Sequence, residues 1–117
     1  MSAHRRDRDY LYDIWEAMDR ITTYIGDLGY DQFMRDKKTQ DAVVRNLQVM
    51  GDATQKLSRQ LRETYPRLPW REIAGMRDKV VHEYFGINYD IVWTVADQEM
   101  PVLLPQIGAI VEQEGKE

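Results

Sequence analysis

An all-α fold, an antiparallel bundle of four to five helices, is what this sequence predicts, on three observations. Apolar residues recur at spacings of three and four along most of the chain, which marks helices with one buried face. Gly26, Gly29 and Gly86, with Pro66 and Pro69, fall between those stretches, where helices end and begin. No stretch alternates apolar and polar residues as a strand does, and no repeat, low-complexity segment or interdomain linker interrupts the pattern. The 117 residues therefore read as one helical domain, with residues 1–6 expected to be a flexible tail.

The first helix spans about Asp7 to Asp27, on the stripe Leu11, Ile14, Met18, Ile21, Ile25 and Leu28, and Gly26 and Gly29 end it. Asp31 to Arg35 reads as a single short turn. A second long helix is expected from near Lys37 to Glu63, with Asp36 or Thr39 as its N-cap and Val43, Leu47, Met50, Leu57 and Leu61 inward. Pro66 and Pro69 bracket the next loop, Pro69 where a helix start tolerates it. The third helix begins at about Trp70, carries Ile73, Met76, Val80 and Val81, and closes at Gly86. Asn88 can cap the last, whose stripe is Ile91, Val92, Val95, Leu103, Ile107 and Ile110, and Pro101 should kink or split it. Gly51 and Gly75 lie inside expected helices, where each costs about 1 kcal/mol relative to Ala. Close backbone approach between helices, across a subunit interface or within one chain, is the return expected from them.

Composition narrows the function. There is no cysteine, which removes disulfides and thiolate metal sites. The N-terminus MSAHRRDRDY has no apolar core of a signal peptide, and apolar runs such as IVWTVA at 91–96 are too short to span a bilayer. A cytoplasmic protein is expected. The net charge of −4 argues against a strongly basic, nucleic-acid-coating protein. Yet the charge is uneven: residues 56–79 carry seven cations (Lys56, Arg59, Arg62, Arg67, Arg71, Arg77, Lys79) against three acids, Glu63, Glu72 and Asp78. That block reads either as a solvated helix face or as a weak RNA-binding surface. Trp15, Trp70 and Trp93 read as core and interface anchors rather than base-stacking platforms.

The block leads into RDKVVHEYF at 77–85, which holds one of only two histidines, the other being His4. Arg grips phosphate through parallel hydrogen bonds, and His has an ordinary pKa near neutrality. A cation for a phosphate and a base for a nearby hydroxyl suffice, in outline, to cleave RNA without metal. The spacing alone also fits a structural role, with Arg77 paired to a carboxylate and His82 at a helix end. Five residues on a helix turn about 500°, which leaves Arg77 and His82 roughly 140° apart around the axis. They converge only if the helix ends near His82 or if two chains build the site. Arg77 and Tyr84, seven apart, share a helical face. No cluster has metal-ligand spacing, no Gly-rich phosphate loop precedes a helix and no Ser/His/Asp set is evident. A nucleotidyltransferase or zinc-enzyme role for this chain itself is thereby excluded.

The wider context is more specific. WREIAGMRDKVVHEYFGINYDIVW from Trp70, Pro101 within EMPVLL, and AVVRNLQVMGDATQKL from Ala42 together resemble the HepT-like toxins of the HEPN superfamily, small all-helical ribonucleases. The resemblance runs from about Tyr10 to Val111. The family signature of an Arg, a polar residue, a His and then x-Tyr is matched at Arg77, Asp78, His82 and Tyr84. The resemblance implies a HEPN-like bundle and a twofold homodimer whose Arg–His motifs meet in a cleft, with no cofactor of the chain's own. Arg77 would hold the scissile phosphate and His82 would act as general base or acid, leaving cyclic phosphate and 5′-hydroxyl ends. It further implies a type VII toxin–antitoxin pair in which an MNT-type nucleotidyltransferase antitoxin, using ATP and a divalent metal, transfers AMP to Tyr84. Asp78 stands where Asn is common, and either orients Arg77 or His82 or weakens phosphate attraction. Asp52 follows Gly51 where Glu is usual, and with Arg45 it forms either a buried ion pair or a solvated one. The alternative function is a non-catalytic substrate-binding or regulatory subunit of a two-component nucleotidyltransferase.

Overall fold

The computed structural model describes residues 5–82 and 86–115, and of Val81 and His82 the backbone alone. Helix α1, Asp7–Ile25, buries Leu11, Ile14, Met18, Ile21 and Ile25, the stripe its spacing predicts. It stops at Gly26, whose φ of 47° suits a residue without a Cβ, and whose N–H donates to the Thr22 carbonyl at 3.0 Å. The short turn expected at 31–35 is helix α2, Tyr30–Arg35, which buries Phe33.

Helix α3, Lys37–Gln55, starts at Asp36, whose carboxylate accepts from the Thr39 N–H at 3.0 Å and from the Thr39 hydroxyl at 2.7 Å. The helix expected to continue to Glu63 breaks, and a separate α4 spans Arg59–Thr64. Ser58 explains the break. Its N–H and hydroxyl both donate to the Asp7 carboxylate at the start of α1, so that amide cannot continue the α3 ladder. The same Ser58 oxygen then accepts from the Leu61 N–H at 3.1 Å and caps α4.

The third expected helix is also interrupted. α5, Trp70–Ala74, and α6, Met76–Val80, meet at Gly75 and bury Trp70, Ile73, Met76 and Val80. The Trp70 indole N–H donates to the Tyr65 carbonyl at 2.9 Å, anchoring the proline-bracketed loop. Helix then gives way at Val81 rather than at Gly86. Val81–His82 (β1) and Gly86–Ile87 (β2) pair antiparallel, His82 opposite Gly86, a ladder that no alternation in the sequence announces. Gly86 has φ +80°.

Asn88 caps α7, Tyr89–Thr94, by accepting from the Ile91 N–H at 3.1 Å. A π-helical segment, Val95–Glu99, follows directly and leads into α8, Met100–Glu114. This is where Pro101 acts: its ring would crowd the carbonyl one turn back, and the wider π turn just before it splits the last helix, one of the two outcomes expected of it. Pro105 lies farther inside α8 and does not end it. α1 packs on α3 and on α8, and α3 packs on α5 and α6. The described residues are thus helical but for one two-stranded ladder, with the expected four to five helices found in shorter pieces. Trp70 is buried, whereas Trp15 and Trp93 are half-buried, Trp93 packing against Phe33 at 5.4 Å between ring centroids.

Candidate functional site

The site forms where α6 crosses the polar face of α3. Gly51 sets how close they come. A Cβ built on it would lie 3.0 Å from the Ala74 carbonyl oxygen and 3.8 Å from the Arg77 Cβ. Close approach is the return expected from Gly51, and it operates within one chain. Gly75 does not share it, since a Cβ there would meet only the carbonyls of Arg71 and Glu72, in its own turn. At Gly75 the helix is interrupted instead.

Beside Gly51 opens a cavity of about 410 Å³ lined by Arg45, Gln48, Asp52 and Gln55 of α3 and by Arg77 and Asp78 of α6. Two cations and two carboxylates therefore face one polar space. The Arg77 side chain is 46% exposed, so its guanidinium is available to a ligand entering from solvent. Its Nη1 donates to the neighbouring Asp78 carboxylate at 3.2 Å. Of the two roles open to Asp78, orienting Arg77 is the one this contact serves, although it is also the carboxylate pairing that a purely structural Arg77 would make. Arg45 and Asp52 are both exposed, and no ion pair joins them, so the buried pair considered for them does not form.

α6 ends at Val80, two residues before His82. The condition for Arg77 and His82 of one chain to converge, a helix ending near the histidine, is met by the backbone. The side chain of His82 and all of Tyr84 fall outside the described residues, as does His4.

The remaining cations of the basic block do not line this cavity. Arg59 pairs with Glu63 at 3.0 Å and Lys79 with Glu99 at 3.7 Å, both on exposed surface. Arg62 and Arg71 are exposed on α4 and α5, and Arg67 borders a separate, mostly apolar hollow with Tyr65 and Ile110. Sequence reading passed over Gln48 and Gln55. The available signal was that they flank Gly51, the one glycine inside α3, on the side away from the apolar stripe.

Residues 14–110 match the model of a family described as ribonuclease HepT-like. A protein of Methanocaldococcus jannaschii named "Putative RNase MJ0127" is 42% identical over 90% of this chain and 87% of its own length. A second from that organism, "Putative RNase MJ1216", is 42% identical over 97% and 95%. "Probable ribonuclease HepT" of Thermococcus cleftensis is 38% identical over 85% and 90%. No solved structure matches with significance. With most of its length matched by the model and by relatives of about its own size, this chain belongs to the ribonuclease HepT-like family.

Proposed function

We propose that this protein is an endoribonuclease that works without metal, the toxin of a type VII toxin–antitoxin pair, with Arg77 and His82 as its catalytic residues. The observation that carries the reading is the exposed Arg77 guanidinium on a polar cavity, in a helix that ends two residues before His82. In a family of this name, that pairing supplies the two groups RNA self-cleavage needs.

In the reaction the 2′-oxygen attacks the adjacent phosphorus, forming the O2′–P bond as the P–O5′ bond breaks. A neutral His82 takes the 2′-hydroxyl proton, and an imidazolium gives a proton to the departing 5′-oxygen. Arg77 holds the non-bridging phosphate oxygens and stabilises the charge that builds on them. A twofold homodimer would bring two Arg77 and two His82 to one cleft, so one histidine could serve as base while the other serves as acid. The partner is an MNT-type nucleotidyltransferase that uses ATP and a divalent metal to place AMP on Tyr84. Loss of the phenolic proton and attack on the α-phosphorus would form the Tyr–O–P bond and release pyrophosphate. The added anion, two residues from His82, would repel RNA.

Incubating the purified protein with RNA in EDTA tests this directly. Products ending in 2′,3′-cyclic phosphate and 5′-hydroxyl are expected, at a rate bell-shaped in pH. Ends of 3′-hydroxyl and 5′-phosphate, or cleavage only when metal is restored, would contradict it. Intact RNA together with a stable nucleotidyltransferase complex would favour the non-catalytic subunit instead.

A further inference from the structure

The Arg77 cavity does not end at α3. Arg45 and Asp52 line it and also line a second hollow of about 180 Å³, shared by Arg5, by Tyr10 and Asp13 of α1, and by Lys56 just past α3. Arg45, Asp52 and Lys56 stand at positions i, i+7 and i+11, one helical face spanning about 16 Å. Resting on the ribonuclease reading above, we infer that this face is the track for single-stranded RNA leading away from the scissile phosphate, running from Arg77 over Arg45 and Lys56 to Tyr10 and Arg5.

Position selects this path over the rest of the block at 56–79. Arg59 and Lys79 are held by Glu63 and Glu99, and Arg62, Arg67 and Arg71 line neither hollow, whereas Arg45 and Lys56 do, and no hydrogen bond or ion pair among the described residues engages their side chains. Arg45, where the two hollows meet, and Lys56, on the second, are placed to neutralise successive phosphates, the interaction that contributes most to affinity for nucleic acid. The far end supplies a stacking platform. The Arg5 guanidinium lies 4.8 Å from the Tyr10 ring centroid and is held there by Asp13. The Tyr10 ring carries Arg5 and packs against the core, so the outer plane of the Arg5 guanidinium that it supports is the surface on which an unpaired base stacks, which a duplex cannot offer. Gln48 and Gln55 line the wall of the first cavity and can meet base edges, and the Asp52 carboxylate, on the same face as Arg45 and Lys56, can accept from a base amino group or a 2′-hydroxyl.

The test uses the full chain carrying His82→Ala, to prevent turnover, with a fluorescent single-stranded RNA oligonucleotide and anisotropy over a range of salt. Adding Arg45→Ala and Lys56→Ala together should weaken binding on the order of tenfold or more and reduce the slope of log affinity against log salt by about 1.4, about 0.7 per lost phosphate contact. Tyr10→Leu should weaken binding about fivefold or more with the slope unchanged. Arg45→Lys with Lys56→Arg should restore the slope. Parental affinity and slope in the double Ala variant would overturn the track, and so would a change of association state by light scattering with RNA affinity unaltered, because the face would then join copies of the chain. Cleavage by the parent protein is followed in parallel. Cleavage with unchanged binding in the double variant sinks the track and leaves the ribonuclease reading standing. Track-dependent binding without cleavage does the reverse.

Discussion

Arg77 and Asp78 are adjacent residues whose side chains meet at 3.2 Å, and the phosphate grip proposed for Arg77 depends on that contact. The carboxylate fixes the guanidinium on the cavity wall, and it also competes with any phosphate that approaches. The two effects separate by substitution. Asp78→Asn keeps an acceptor oxygen and removes the charge, so KM for RNA should fall about twofold to fivefold, the worth of an exposed pair, with kcat nearly unchanged. Asp78→Ala removes the orientation as well, and kcat should drop. Steady-state kinetics of both variants decide it, and kinetics equal to the parent's in both would show that Asp78 plays neither part. At this scale the sequence pointed to Arg77 through its chemistry together with the family resemblance, and in the structure Arg77 lines the polar cavity. The Arg77–Asp78 contact was one of two open roles there, since rotamers are not written in a spacing. Gln48 and Gln55 were not legible, because an amide on a polar helix face looks like ordinary solvated surface until Gly51 shows what packs beside it.

Gly51 is where an element-level constraint reaches the site. Replacing it with Ala would gain about 1 kcal/mol in helix propensity. Against this, the new methyl would press on the Ala74 carbonyl, a backbone atom at 3.0 Å that moves only if α5 moves. Such overpacking costs about 1–3 kcal/mol, so Gly51→Ala should be net destabilising by about 1 kcal/mol, read as a lower urea midpoint at unchanged slope. A raised midpoint would mean that α5 yields freely. The same scale shows why helix faces were readable and helix ends were not. Stripes at spacings of three and four follow from the helical period, and those of α1 and α3 are buried as expected. The break before α4 follows instead from Ser58 binding Asp7, fifty-one residues away in sequence. No local pattern encodes that partner. Pro101 was legible as a disturbance, but that it would take the form of a π turn was not.

Across the whole molecule, a long-range side-chain bond ties the last helix to the rest. Tyr65, in the loop after α4, donates its hydroxyl to the Glu114 carboxylate near the end of α8. That bond, with some desolvation, pushes the Tyr65 pKa from 10.0 up to about 12. The folded chain therefore holds this proton where the unfolded chain has released it. The contribution is complete below about pH 10 and fades as the pH climbs through about 12. Tyr65→Phe should be less stable than the parent at neutral pH, with the gap closing over that alkaline window. Denaturant titrations of both proteins at pH 7 and across pH 10–12 measure it, and a gap independent of pH would discount the bond. The predominantly helical fold was legible from apolar periodicity, which survives the interruptions because each piece keeps its stripe inward. The short ladder around His82 was not, since two residues per strand are too few to alternate.

The central claim, that Arg77 and His82 together cleave RNA, comes down to one comparison: initial cleavage rates in EDTA for the parent, Arg77→Ala and His82→Ala, each confirmed folded by circular dichroism. Loss of about a hundredfold or more in each variant is the predicted result. Either variant cutting RNA at the parental rate would contradict it.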